Sequence, residues 1–410
     1  TSTDPRGSVS QYAYDPSGNL TSFKDPLTQE TRYAYDTAGR VTQETTPNGL
    51  VTGYSYDLRG RVLQITRGTE VSTFSYTPSG QISGLSLPNG YAIAYTYDAA
   101  QRLVSATDNR ANSIQYTLDA MGNRLREEVK DPAGAIAQVT TRSITNLNRM
   151  ASIGNAAGQS TQYGYDANGE PISASDPLNH TTRQTLDPLR RPTSTTLADN
   201  TSASLAWNPL NALATATDPR GIATQYTRNA FGEVMAEASP DMGTVSYSRD
   251  AAGNVTASTD AKAQTTQITR DALGRPSVIT LADGTTQQLA YDAAGHLSQV
   301  QDASGTTSYS RDTLGRILNK TQTVADNPGN PSSYAVAYQY HPGGAVAQIT
   351  YPSGLKVYYR QSPSGQVSQV DVQLPGGTLQ NPKPVTPFVT GLSYTALAQP
   401  KAWNWTSGDS

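Results

Sequence analysis

Carboxylates recur along this chain at a fixed interval, and a repeated carboxylate can do chemistry. Asp36, Asp57, Asp166, Asp271 and Asp292 each stand three residues before a glycine, at Gly39, Gly60, Gly169, Gly274 and Gly295. A tyrosine precedes four of them, Tyr35, Tyr56, Tyr165 and Tyr291, and an arginine follows three of the glycines, Arg40, Arg61 and Arg275. Such acids suggest paired groups for acid–base work or calcium ligands of an Asp-rich β-roll. The calcium-binding nonapeptide GGxGxDxUx is absent, however, and each Asp sits in a turn-forming phrase where its side chain can cap backbone NH groups. We therefore read these residues as structural.

Other candidate chemistry is thin. His180, His296 and His341 are the three histidines, and their separations of 116 and 45 residues match no metal-ligand spacing. They read as loop histidines. A Ser-His-Asp site lacks a GxSxG elbow, and the absence of cysteine removes disulfides and thiolate metal sites. No catalytic, cofactor or metal residue is assigned, and no enzyme activity is expected. Arg228, Arg249 and Arg270 form a series that suits either a basic stripe for an acidic cargo or, more simply, guanidinium packing along Tyr or Asp of adjoining units. Trp403 and Trp405 alternate as in a strand and read as a packed end of a sheet, with a contact for a following domain as the alternative.

What must position these residues is a repeat. Aligned on Tyr35, the phrase recurs at Tyr14, Tyr56, Tyr76, Tyr97, Leu118, Ile144, Tyr165, Leu186, Trp207, Arg228, Arg249, Arg270, Tyr291, Arg311, Tyr340 and Gln361, seventeen copies in all. Twelve of the sixteen intervals are 21 residues, two are 20, and the others are 26 and 29. A worn eighteenth copy lies at Tyr394. Half a unit after each phrase comes a second turn signal, such as Asp4-Pro5-Arg6-Gly7, Pro47-Asn48-Gly49 or Asp218-Pro219-Arg220-Gly221. Segments of about five to seven residues lie between the turns, strand length rather than helix length. Each unit reads as a β-hairpin.

Composition agrees. The 410 residues are 36% hydrophobic and 15% charged, with 24 Tyr, 34 Gly and 25 Pro, so strand and turn formers abound while material for thick cores is scarce. The net charge of −3 offers no basic face for nucleic acid, and no apolar stretch reaches the roughly 18 residues of a membrane helix. We expect an all-β protein, a long antiparallel meander of hairpins of about 21 residues. Because strands twist and large open sheets curl, it should coil into a spiral or hollow cocoon-like shell. Apolar residues two and five positions past the glycine, such as Val62 and Ile65, imply either a bulge or apolar cover on both faces. The extra residues near Lys130–Gln138, Val324–Ser333 and Leu374–Pro384 all enlarge the second turn, so the three long loops should leave the same edge. Residues 1–373 read as the regular array and 374–410 as a degenerate final repeat. The start without Met, partway through a unit, suggests a piece cut at both ends, whose bare strand edges invite self-association.

The units resemble the YD repeats of the Rhs (rearrangement hotspot) family, whose aromatic, Tyr, Asp, two variable residues, Gly, Arg and apolar pattern is met fully at Tyr33–Val41 and Tyr54–Val62. Departures are local: Gln101 replaces the Gly, and Arg replaces the Tyr at Arg228, Arg249, Arg270 and Arg311. The resemblance implies a β-cocoon like those of related Rhs proteins and Tc toxins, wound around a C-terminal toxin domain as its partner. It also implies export from a bacterial cell with secretion-system components, as in type VI secretion and interbacterial competition. The family's protease-like DPxGL segment is not found; Asp218-Pro219 continues as Arg220-Gly221-Ile222. The alternative, drawn from the related teneurin shells, is a cell-surface module for adhesion or carbohydrate binding.

Overall fold

Thr, Tyr and Val fill the segments between turns, and their branched or aromatic side chains suit a pleated surface. In the computed structural model, which describes residues 1–325, 332–377 and 382–406, these segments are strands, with no helix among the described residues. Among the described residues thirty-seven strands form one open sheet in which each pairs antiparallel with its sequence neighbours. One unit illustrates the rest. The strand Glu30–Tyr35 turns through residues 36–40 into Val41–Thr45, which turns through residues 46–50 into Val51–Tyr56. Both turns use the same geometry: the NH of the first residue bonds the carbonyl of the fifth, and the NH of the fourth bonds the carbonyl of the first.

The odd spacing of Val62 and Ile65 has a local cause. Tyr56 pairs with Val62, but Ser55 pairs with Gln64 and Tyr54 with Ile65, which leaves Leu63 unmatched. That bulge places Val62 and Ile65 on the face carrying Tyr54 and Tyr56, because one extra residue shifts the alternation by one. The same slip recurs one residue after the first turn in other units, as at Thr42 between Val41 and Gln43.

The insertions differ from expectation in form. Between Leu118 and Ile144 the extra residues lengthen the strands, Arg124–Lys130 and Ile136–Ile144, while the connection 131–135 keeps the ordinary tight geometry. A longer ladder satisfies more backbone groups than a wider loop does. Likewise Ile317–Val324 and Ser332–Tyr340 are long strands flanking the second insertion. The central parts of the second and third insertions, residues 326–331 and 378–381, lie outside the described residues. The antiparallel order carries the flanking strands of all three toward the second-turn edge.

The ribbon has little core. Leu50, Val129, Val139 and Val389 are the apolar residues buried among those described, and the accessible surface is 24193 Å². A compact protein of 43.6 kDa would expose about 15,000 Å². Among the described residues strand-to-strand packing joins sequence neighbours alone, and no second layer lies behind the sheet. Yet the ribbon meets itself. Arg6 donates to the carbonyls of Asp271 (3.3 Å) and Ala272 (3.1 Å), Asn48 to that of Thr313 (2.8 Å) and Arg110 to that of Ser364 (2.6 Å). In each pair a second turn of the early chain abuts a first turn of the late chain. Counting strands between partners gives 25 for Arg6 and 23 for Arg110, and these set one revolution of a spiral. At about 4.8 Å per strand the path round the spiral is roughly 115 Å, or about 35–40 Å across. The coils are joined by turn contacts and not by a backbone ladder, so the sheet stays open.

Candidate functional site

The repeated turn gathers the carboxylates and arginines of the array into one polar constellation per unit. Asp36 accepts from the NH groups of Ala38 (2.9 Å) and Arg40 (3.0 Å) through one carboxylate oxygen and from the Arg40 guanidinium through the other (2.7 Å). Asp57, Asp166, Asp271 and Asp292 receive the equivalent pairs of NH groups. The Arg40 main-chain NH first, and its side chain second, hold the Asp36 carboxyl below its ordinary value. At Asp271 burial pushes the value up, but the side chain and NH of Arg275 outweigh it and the net shift is downward. Gly39 has φ of 76° and is the residue that lets the strand resume. Gln101, in the glycine position of its own unit, adopts φ of 64° and keeps the turn bonds.

The tyrosine has a separate task. The hydroxyl of Tyr56 donates to the carbonyl of Val41 at 2.6 Å, fifteen residues upstream, and Tyr35, Tyr165 and Tyr291 do the same to Leu20, Met150 and Pro276. Trp207 repeats the contact with its indole NH to Pro192 (2.8 Å). So do the arginines: Arg249 to Val234 and Arg270 to Val255, both at 2.8 Å, with Arg228 and Arg311 reaching Leu213 and Leu297. The arginine series is therefore not packed mainly on Tyr or Asp of adjoining units. Its members are donors that replace the phenol, each bonding the start of the preceding unit's strand. Where Leu186 has no donor, Gln184 bonds the Pro171 carbonyl instead.

A second regularity links successive units. Arg40, Arg61 and Arg275 lie over the rings of Tyr56, Tyr76 and Tyr291 at 4.8, 4.4 and 4.2 Å. The residues standing in that arginine position before Arg228, Arg249, Arg270 and Arg311 are Ala212, Glu233, Asn254 and His296. Apart from Arg102, whose next unit carries Leu118, an arginine thus faces a ring, and a guanidinium in the ring's place faces no arginine. Attraction of a cation to a π-face and repulsion between two cations explain both halves of this rule.

The histidines sit in turns. His180 meets Asp176 at 3.0 Å, His296 meets Asp292 at 3.4 Å, and the His341 ring meets the Tyr359 carbonyl at 2.6 Å. Among the described residues no group of three or more His, Cys, Asp or Glu is placed to hold a metal. Trp403 and Trp405 are not a packed end. Both are exposed, with Phe388 edge-on to Trp405 at 5.2 Å, because the last strand, Pro400–Trp405, has a neighbour on one side only among the described residues.

Two sequence families match. The RHS Repeat model matches residues 14–51, 35–71, 76–113 and 165–202, and the Teneurin YD-shell model matches residues 241–381. The chain belongs to the Rhs/YD-repeat family. No curated protein matches it significantly. Among solved structures this YD-repeat chain is similar to TcdB2-TccC3, with a TM-score of 0.52 and 13% identity over 97% of this chain and 27% of that one. It is also similar to TcdB2-TccC3 without its hypervariable C-terminal region, with a TM-score of 0.52 and 12% identity over 95% of this chain and 29% of the other. At such identities the likeness establishes the fold: a YD-repeat shell. The chain spans under a third of either structure.

Proposed function

We propose that this YD-repeat chain is a section of the encapsulating wall of an Rhs-type secreted toxin, enclosing a C-terminal toxin domain of its parent protein. The observation that carries this is the ribbon's return on itself after 23 to 25 strands while, among the described residues, no strand packs on any but its sequence neighbours. A wall of this kind works by geometry and needs neither catalysis nor a cofactor. Residues 1–373 would form the regular array and 374–410 a worn closing repeat. In this reading Tyr35, Asp36, Gly39 and Arg40, and their counterparts in other units, are structural. Export from a bacterial cell through secretion-system components, for use against competing bacteria, follows from the family resemblance. The test is limited proteolysis of the full parent protein. The terminal domain should resist digestion in the intact wall and become accessible when the inter-coil contacts are cut by Arg6→Ala with Arg110→Ala. Equal digestion in both would defeat the proposal.

One observation favours a second reading, adhesion or glycan binding at a cell surface. Phe388, Trp403 and Trp405 form an exposed aromatic group of the sort that stacks on sugars. It is confined to the last hairpin, whereas the enclosing wall involves the whole array.

A further inference from the structure

Threonine stands four residues before the phrase tyrosine, or its replacement, in several units, and its exposure sets one unit apart. Thr31, Thr52, Thr161, Thr224 and Thr266 are buried or half-buried, whereas Thr182 is exposed. The side chain two residues on, which shares the face of the sheet, accounts for this. It is Tyr33, Tyr54, Tyr163, Tyr226 or Ile268 in the covered cases and Gln184 in the bare one. Gln184 is turned to the Pro171 carbonyl, for which Leu186 has no donor. The residues opposite are small as well. Thr52 faces Glu44 and Tyr54 faces Ile65, but Thr182 faces Ala174 and Gln184 faces Thr195.

The space so left is a dent of about 240 Å³, with Tyr163, Ile172 and Pro171 completing its lining. A cavity of about 150 Å³ is enough for benzene, so the dent has room for one aromatic side chain. Its polar requirement is set by the sibling units. The Pro171 carbonyl holds the place of those of Leu20, Val41, Met150 and Pro276, each of which accepts from a phenol, and of that of Pro192, which accepts from an indole. We infer that the dent is a binding site for the tyrosine side chain of a partner polypeptide, whose ring fills the space over Thr182 and whose hydroxyl takes the Pro171 carbonyl from Gln184. The partner supplies from outside what sibling units supply from their own strand. The displaced Gln184 amide turns to water, so the exchange leaves no buried polar group without a bond. Coils meet through their turns, and this site lies on the face of the sheet, within the paired strands Pro171–Ser175 and Thr181–Leu186.

Titration of the full chain, labelled at its isoleucine methyls, with N-acetyl-tyrosinamide tests this, the Ile172 resonance being assigned through Ile172→Val. The Ile172 methyl should shift saturably. N-acetyl-phenylalaninamide, the same probe without the hydroxyl, should bind about three- to tenfold more weakly. Gln184→Ala, which frees the carbonyl and leaves the dent open, should tighten binding of the tyrosine probe. Gln184→Tyr, which fills the dent with the residue that sibling units carry, should abolish it. Far-UV circular dichroism checks that both variants fold. Four results would each overturn the inference: no saturable shift, equal affinity for the two probes, binding indifferent to Gln184→Ala, and binding that persists in Gln184→Tyr.

Discussion

Replacing Tyr56 by arginine puts two guanidiniums where the chain everywhere else avoids them. Arg40 lies 4.8 Å from the Tyr56 ring. A cation at the ring's position would repel Arg40 by about 0.9 kcal/mol, from 332/(80 × 4.8) in water. The cation–π attraction that is lost adds about 0.5–1 kcal/mol. The bond to the Val41 carbonyl survives, since Arg249 and Arg270 make its equivalent. Tyr56→Arg should therefore destabilise by about 1.5–2 kcal/mol, and Tyr56→Phe, which removes only the hydroxyl, by about 0.5–1.5 kcal/mol. Adding Arg40→Asn to Tyr56→Arg recreates the natural pair Asn254 and Arg270 and should recover most of the loss. Hydrogen exchange at amides of the strands Val51–Tyr56 and Val62–Arg67 measures each corner of this double-mutant cycle, because a repeat array opens locally rather than all at once. The repulsive part should shrink when salt rises from about 0.15 M to 1 M. A coupling below about 0.3 kcal/mol, the scatter expected of independent sites, would refute the pairing rule.

Two glycines separate backbone strain from steric closure. Gly39→Ala meets nothing closer than 3.6 Å and should cost about 1 kcal/mol for its left-handed backbone, read from urea unfolding. Gly90→Ala places its Cβ far closer to the Pro363 carbonyl oxygen than van der Waals contact allows, so it should part the coils and make the inter-coil region protease-sensitive. Leu118→Tyr supplies the missing donor to the preceding unit and should stabilise by about 0.5–1.5 kcal/mol, with unchanged stability counting against the donor role. Acid should unfold the wall within a window below pH 3.8. Asp36, Asp57 and Asp98 titrate below that ordinary value when folded, so their contribution is complete above it and lost as pH falls through the folded values. At the other limb, burial raises Tyr91 and Tyr359 above the ordinary 10.0, so their contribution is complete below pH 10.0 and lost as pH rises through the folded values. Circular dichroism against pH reads both limbs, and a loss of structure near neutrality would contradict them.

How much of this was legible beforehand depended on reach. The turn phrase is local: Asp36 caps groups two and four residues away, so residue types alone disclose it. The bulge at Leu63 was visible only as a choice, because it depends on which residue stands opposite, and the strand carrying Tyr54 and Tyr56 decides that. The tyrosine bond spans fifteen residues, and its interchange with Trp and Arg hid it, since those side chains share a donor but little else. The spiral's girth rests on Arg6, Asn48 and Arg110, which look like ordinary turn residues and find their partners 254–265 positions away. Trp403 and Trp405 misled because alternation signals a strand without saying whether anything lies on the strand's far side.

Since successive turns of the coil touch through loop tips alone, nothing in the backbone dictates how many of them there are. Inserting one more 21-residue copy adds two rungs along the strip and slides the overlap onward, as lengthening the wire lengthens a spring of constant diameter. A lineage could thus enlarge the enclosed volume by duplication while each new copy finds contacts already specified by its own tips.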